Sequence, residues 1–499
     1  MANKPASLLQ TRRDFIRQVA CAAVGTAALS ATIRDLRFMN AAVAQSNITD
    51  YKALVCIFLA GGNDSNNLII PTIPAEWTNY ASIRTPVLAL PLSGAPFNVL
   101  PISPLNSDGH SYGLHPACPE LVTLFGEGKL ATLFNTGTLV YPMTRAQYQS
   151  GVIEKPPQLF SHADQVAQWQ TSIPDQPALT GWGGRCADLL SAVQPGAPIS
   201  LSVTLSGANT FEVGNSIAQY SVSTSGAVSL SGVSGARLTA LKNVLGLPYT
   251  NMQAQAYANV AAHSINTSSL LNAAILPTAD PSSSVQYWTT PFPGSNPFQV
   301  VTPTSGAKFN SGLGPQLKMA ARLIEAGHRA TANGGFGMRR QIFFCSVGGY
   351  DLHTGQTAVV GGVPDPTQGA HANLLAELSQ CLYAFQRAME QLGLANNVTA
   401  FTSSDFGRTF PSNGQGSDHG WGSHHLIVGG AVKGQQTYGT FPVLTINGPN
   451  DTSTGRWIPT TATDQYFATL ASWFGVDSGH LNTVFPNIGR FATPNLGFI

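Results

Sequence analysis

Residues 54–67 read LVCIFLAGGNDSNN, an apolar run followed by glycines and small polar residues. The apolar run from Leu54 to Leu59 predicts a buried strand, and the Gly- and Asn-rich residues that follow predict a polar turn. A continuous apolar run that ends in such a turn is typical of a central parallel strand and of the loop at its carboxyl end. We therefore expect a sheet whose central strand is buried on both faces.

Helix and strand patterns alternate along the rest of the chain. Further strands are predicted at Ala131 to Asn135, Gln341 to Val347, Val398 to Thr402 and Leu426 to Gly430. Helices are predicted at Pro116 to Gly128, Gln158 to Thr171, Arg237 to Leu276, Gly314 to Arg329, Ala370 to Leu392 and Thr463 to Phe474. This alternation predicts an α/β fold with a parallel-rich central sheet and helices on both faces.

The region at about 200–312 is predicted to be an insertion in this fold. Residues 200–235 are rich in Ser and Gly and favour short β segments over helix. Residues 277–312 are rich in Pro, Ser and Thr and predict a long loop that could act as a lid.

The first 44 residues have the order of a secretory signal. Arg12, Arg13 and Arg17 are basic, residues 19–29 are mildly apolar, and Ala42-Val43-Ala44 is a small-residue cleavage sequence. Residues 11–16, TRRDFI, resemble the twin-arginine export signal, which a receptor reads. The alternative is an ordinary amphipathic N-terminal helix. The apolar stretch is too short to span a bilayer, which needs roughly 20 apolar residues.

These features predict export through the twin-arginine translocon and a periplasmic or secreted location. The mature chain is expected to span residues 45–499 as a single domain without a stable membrane anchor. A net charge of +1 with 10% charged residues gives no electrostatic footprint for nucleic acid. The mature chain keeps an odd number of cysteines with no CxxC spacing, so we expect no essential disulfide framework.

Histidines and aspartates concentrate where predicted strands end. Five of the eleven histidines lie between residues 353 and 425, and Asp351, Asp405 and Asp418 lie beside them. Asp64, Asp351 with His353, and Asp405 each follow a predicted strand, and the carboxyl ends of parallel strands converge on one crevice. Mixed Asp and His ligands suit zinc, manganese or a similar divalent ion. The alternative is that each Asp caps its own turn.

Four longer stretches carry a resemblance to a known family. They are LVCIFLAGGND at 54–64, GGYDLH at 348–353, SDFGRT at 404–409 and DHGWG at 418–422, supported by GLHP at 113–116, Ser161-His162 and Gly181-Trp182. Together they resemble an uncharacterised family of twin-arginine-exported bacterial proteins, grouped by fold with the alkaline phosphatase and sulfatase superfamily. The resemblance covers nearly the whole mature chain and implies an alkaline-phosphatase-like sheet.

The resemblance also implies roles for individual residues. Asp64, Asp351, His353 and Asp405 stand where the superfamily has metal ligands, and His419 or His424 stands for the last one. Ser161 stands for the nucleophile that opens a helix, where an anionic group is stabilised; Ser65 and Thr138 are weaker candidates, and plain N-capping by Ser161 is the alternative.

The chain departs from the superfamily at two places. Phe406 follows Asp405 where the superfamily has His, and Asp351 and His353 are closer than usual. Arg408 could bind an anionic oxygen through its fork, or could simply tie down its own loop. His162 could support Ser161 or face solvent. The remaining histidines are interpreted as structural: His110, His115, His263, His328 and His480.

The expected function is an exported metal-dependent hydrolase of small-molecule phosphate or sulfate esters. Ser161 would attack in line, Asp64 and Asp405 would hold one metal ion, and Asp351, His353 and His419 a second. The alternative is a non-catalytic periplasmic binding or assembly factor that retains the fold. An oxidoreductase or isomerase at the same metal is a third possibility.

Overall fold

The computed structural model describes residues 48–194, 196–227, 232–276 and 298–499. The predicted export signal lies outside these residues, as do residues 277–297 of the predicted lid loop. The described chain is a mixed α/β protein, and none of its helices is long and apolar enough to cross a membrane.

Short and long strands are spread over the whole described chain. In chain order they are β1 Lys52–Leu59, β2 Ile69–Pro71, β3 Leu100–Ile102, β4 Tyr112–Leu114, β5 Leu130–Gly137, β6 Ser202–Thr204, β7 Tyr220–Ser223, β8 Gly226–Ala227, β9 Gln299–Val301, β10 Lys308–Asn310, β11 Arg340–Val347, β12 Ala358–Val360, β13 Val363–Asp365, β14 Val398–Ser404, β15 Ser423–Gly429, β16 Gln436–Tyr438 and β17 Thr461–Ala462.

Eleven α-helices lie in the described residues. They are α1 Pro74–Leu88, α2 Pro119–Gly126, α3 Arg145–Ser150, α4 His162–Thr171, α5 Trp182–Leu190, α6 Ala236–Leu245, α7 Met252–Ala274, α8 Gly314–His328, α9 Ala370–Gln391, α10 Thr463–Phe474 and α11 Leu481–Val484.

A ten-stranded sheet organises the described part of the chain. Its strand order is β16-β5-β15-β14-β1-β11-β6-β7-β8, and β17 also pairs with β5. The strand β1 pairs in parallel with β11 and with β14, as the apolar run predicts. The short strands β6, β7 and β8 come from the Ser- and Gly-rich segment and extend the sheet at one end.

The sheet is mixed, and most of its strand pairs are parallel, in line with the expected parallel-rich sheet. The strand β15 runs antiparallel to both β14 and β5. The reason lies in the connection at residues 405–422, which contains no helix. A parallel return needs a crossover of a dozen or more residues, usually helical, whereas this loop turns back on itself at the same edge.

Two predicted helices also differ from the observed ones. The helix expected from Arg237 to Leu276 is divided into α6 and α7, with Gly246 and Pro248 in the break. The helix expected from Gln158 begins instead at His162, because Gln158 and Phe160 have φ values of 52° and 73°, which are incompatible with a helix.

Alternate residues of β1 pack into two different cores. Val55, Ile57 and Leu59 belong to the core that α2, α8 and α9 cover. Leu54, Cys56 and Phe58 belong to the core that α5, α10 and α11 cover on the other face. Because successive side chains of a strand point to opposite faces, the apolar run requires helices on both sides of the sheet.

The three central strands end at the same level. In the register, Leu59 of β1 is opposite Val347 of β11 on one side and Ser404 of β14 on the other. The loops that follow therefore begin side by side, as the sequence predicts. The five described cysteines are all buried and free, which confirms the expectation of no disulfide framework.

Candidate metal centre

The loops after β1, β11 and β14 are in direct contact. Gly61 has φ +117°, and a Cβ there would lie 2.4 Å from the backbone nitrogen of Asp351. The Gly61 N–H donates to Asp405 Oδ1 at 2.9 Å, and its carbonyl accepts from Arg408 at 3.2 Å. A residue without a side chain is therefore required where these three loops meet.

Asp351 lies at the centre of the polar cluster that these loops form. Its Oδ1 accepts a 2.7 Å ion pair from Arg408 and lies 3.1 Å from His353 Nε2 and 3.4 Å from His419 Nε2. Its Oδ2 lies 3.4 Å from His162 Nε2. Although burial raises the pKa of Asp351, Arg408 and the neighbouring histidines outweigh that effect, so the pKa lies below its usual value and favours the carboxylate.

Each of the three histidines is held through its Nδ1 atom. His162 Nδ1 lies 2.7 Å from Asp405 Oδ2, and His353 Nδ1 lies 2.8 Å from Asp418 Oδ1. His419 Nδ1 lies 2.7 Å from the carbonyl oxygen of Phe160. A bond from Nδ1 to an acceptor fixes the orientation of the ring and leaves Nε2 facing the centre of the cluster, which is how proteins usually orient a histidine to bind a metal.

The Nε2 atoms of these histidines converge. His162, Asp351 and His419 offer ligand atoms that all lie within 4.8 Å of one another. His353 extends the group, because its Nε2 lies 2.9 Å from His419 Nε2. The buried Nε2 atom of His162 has no hydrogen-bond partner within the described chain, so this nitrogen is available to bind a ligand.

Phe406 forms an apolar support for two of these rings. Its side chain is buried, and its ring centroid lies 4.7 Å from those of both His162 and His419. Burial lowers the pKa of His419 and outweighs the hydrogen bond to the Phe160 carbonyl, which acts in the opposite direction. The lowered pKa favours the neutral imidazole, the form that coordinates metals.

Asp64 lies in a separate buried network. Its carboxylate pairs with Arg84 and accepts a hydrogen bond from Gln356, and both charged side chains are almost fully buried. Burial raises the pKa of Asp64, but Arg84 and His371 outweigh this effect and hold the pKa below its usual value. Arg84 also donates to the Phe410 carbonyl at 2.9 Å, so the pair ties the loop after β1 to the loop after β14.

The other predicted site residues have different surroundings. His424 is buried, accepts from the Asn135 N–H at 3.0 Å and stacks on Phe441, and burial lowers its pKa to about 3. Ser161 occupies the N-cap position of α4 without capping the backbone, and its hydroxyl donates to Asp164 at 2.7 Å.

The weaker nucleophile candidates are also engaged. The Ser65 hydroxyl accepts from the His424 N–H at 2.9 Å, and the Thr138 hydroxyl donates to Gln165 at 3.2 Å.

The structure thus brings together Asp351, His353, Asp405, His419 and Arg408, and leaves Asp64 and His424 outside the ligand group. Sequence reasoning gave no ligand role to His162 or Asp418, both of which lie in the cluster. His162 is remote from the histidine-rich region, and the only signal for it is its place in the Ser161-His162 pair. The part of Asp418 in the cluster becomes visible only in the structure, because its partner His353 lies 65 residues away along the chain.

Fold and site together define the class: an α/β protein with a histidine and aspartate cluster where three central sheet strands end. The chain belongs to the family described as protein of unknown function (DUF1501), which matches residues 51–454. That range contains every residue of the cluster. No curated protein matches the chain.

The Asp64→Asn variant tests the structural role of Asp64. It leaves the buried Arg84 unpaired, so we expect the free energy of unfolding to fall by about 3–5 kcal/mol. Urea denaturation measures this loss. Glu127→Gln is the control, since it breaks an ion pair with the partly exposed Arg387 and should cost under about 1 kcal/mol. Equal losses in the two variants would contradict the role assigned to Asp64.

Proposed function

We propose that this chain is an exported metal-dependent hydrolase of phosphate or sulfate esters with an alkaline-phosphatase-like fold. The observation that carries the proposal is the convergence of His162, Asp351 and His419, with both imidazoles held through Nδ1. The parallel strands β6, β11, β1 and β14 at the centre of the sheet support the fold assignment.

The donor set fits zinc or manganese. His162, Asp351 and His419 would hold the ion, with His353 beside them, since neutral imidazoles and a carboxylate are ligands that both metals accept. The available Nε2 atom of His162 supports this assignment. A bound divalent ion would polarise an ester oxygen and lower the pKa of an attacking hydroxyl group. One ion is proposed rather than two, because Asp64 is paired with Arg84 and Asp405 with His162.

The surrounding residues have distinct parts in this proposal. Asp405 and Asp418 orient His162 and His353. Arg408 is fully buried and its guanidinium donates to Asp351 and to the Gly61 and Ser417 carbonyls, so it orients Asp351 rather than binding substrate.

Ser161 is the proposed nucleophile. It precedes the ligand His162 at the start of α4, and its hydroxyl already donates to the Asp164 carboxylate, which can accept the proton as the oxygen attacks.

A second candidate is a non-catalytic binding factor that holds the metal without turnover. The observation that favours it is Phe406, which fills the space between His162 and His419 with an apolar ring. Metal binding without hydrolysis distinguishes this candidate from the enzyme.

Replacing the central carboxylate tests the hydrolase directly. We expect Asp351→Asn to lose the bound divalent ion and at least about a hundredfold in hydrolysis of p-nitrophenyl phosphate or sulfate, because the anionic ligand is removed. Metal content is measured by mass spectrometry and hydrolysis by absorbance. Asp108→Asn, the same change on an exposed loop, is the control.

A second variant separates metal binding from chemistry. Ser161→Ala should retain the metal while losing turnover if Ser161 is the nucleophile. Full hydrolytic activity in Asp351→Asn would overturn the proposed function, whereas full activity in Ser161→Ala would overturn only the choice of nucleophile.

We also propose that the chain works in the periplasm or outside the cell after twin-arginine export. The Arg12→Lys, Arg13→Lys double variant should accumulate as a cytoplasmic precursor, because the translocon reads the arginine pair and not the charge alone. Cell fractionation and immunoblotting measure how much precursor remains in the cytoplasm. Arg17→Lys, a change outside the pair, should be exported normally; equal export of both variants would contradict the assignment.

A further inference from the structure

The loop at residues 447–457 is folded around one buried carboxylate. Asp451 accepts the backbone N–H groups of Asn447, Ser453, Gly455 and Arg456 at 2.8–3.1 Å. Four such bonds fix the backbone of the loop, and with it the position at which the Arg456 side chain begins.

The Arg456 side chain contacts both segments that carry the proposed metal ligands. Its Nε donates to the His419 carbonyl at 2.8 Å. Its guanidinium carbon lies 4.2 Å from the ring centroid of Phe160, whose carbonyl oxygen in turn bonds His419 Nδ1. Phe160 directly precedes Ser161 and His162, so Arg456 is held beside the cluster by a directed hydrogen bond and by stacking on an aromatic face.

Arg456 forms no ion pair with an Asp or Glu side chain in the described chain. Such pairs are formed by Arg84, Arg340, Arg387, Arg408 and Arg490. The Nε of Arg456 is occupied by the His419 carbonyl, while no protein acceptor in the described residues bonds its two terminal nitrogens. A half-buried, oriented guanidinium with two free terminal nitrogens is suited to bind two oxygens of one anion.

We propose that Arg456 binds the tetrahedral oxyanion of the substrate and thereby sets the substrate class, a role that rests on the proposed function. The sequence offered Arg408 for this task, but Arg408 is fully buried and both of its terminal nitrogens already donate to acceptors within the protein. Within the described residues, Arg456 contacts the segments that form the cluster and keeps two terminal nitrogens without a protein acceptor. The ligand it selects carries a phosphate or sulfate group, since both present paired oxygens to a guanidinium fork.

The test uses the mature protein loaded with zinc and titrated calorimetrically with inorganic phosphate and, separately, inorganic sulfate. We expect Arg456→Gln to weaken binding of the preferred anion at least about tenfold, because charge-assisted hydrogen bonds are lost. Zinc content should equal that of the wild type, since Arg456 is not a ligand. Comparing the two titrations shows which of the anions the site prefers.

Arg145→Gln is the matched control. Arg145, at the start of α3, donates to the Asp451 carbonyl and to the Asn447 side chain, so this variant removes one charge that contacts the loop but none that contacts the cluster. It should bind the anion as the wild type does.

Three results would overturn the proposal: equal anion affinity in Arg456→Gln and wild type, no binding of either anion by wild type, or loss of zinc in Arg456→Gln. The last would mean that Arg456 merely positions His419. Failure of the proposed function is distinguishable, because it would appear as anion binding that depends on Arg456 without ester hydrolysis by the wild type.

Discussion

The apolar strand β1 determines where helices and polar groups can lie in this protein. Its side chains are buried on both faces, so helices must cover both sides of the sheet and polar groups can gather only beyond its ends. The register brings the ends of β11 and β14 level with the end of β1. Three polar loops therefore meet at one edge, and Gly61 allows their backbones to touch.

The side chains of the polar cluster are held in place by hydrogen bonds and ion pairs to groups at its periphery. Asp405, Asp418 and the Phe160 carbonyl fix three imidazoles by Nδ1, and Arg408 fixes Asp351. None of these partners needs to touch a substrate. Exposed side chains pointing at one spot lose little further conformational freedom when they bind a ligand there, which is the physical advantage of such preorganisation. The buried Asp64–Arg84 pair links two of the same loops, those after β1 and β14.

The sequence was sufficient for the central architecture and for part of the site. The run at 54–59 predicted the central strand and the burial of both its faces, and the positions of Asp351, His353 and Asp405 after strands predicted a shared edge. The direction of β15 could not be predicted, because it depends on a loop without a helix turning back at that edge. The separation of Asp64 from the cluster depends on Arg84, whose side chain reaches it from α1 and has no local signal.

His162 belongs to the cluster but could not be assigned to it from the sequence. It is brought to Asp351 by α4, an element that packs against the sheet far from the histidine-rich region in sequence, so neither spacing nor composition reveals it. The same is true of Arg456, whose orientation depends on the loop folded around Asp451. Local patterns identify elements and their ends, whereas the side chains that meet at the cluster depend on tertiary contacts.

Anomalous diffraction from a crystal of the zinc-loaded mature protein would locate the metal ion among these side chains. We expect one strong peak per chain at the zinc edge, within about 2.0–2.2 Å of His162 Nε2, His419 Nε2 and an Asp351 carboxylate oxygen. A peak that instead lies between Asp64 and Asp405, or the absence of any peak among His162, Asp351 and His419, would contradict this expectation.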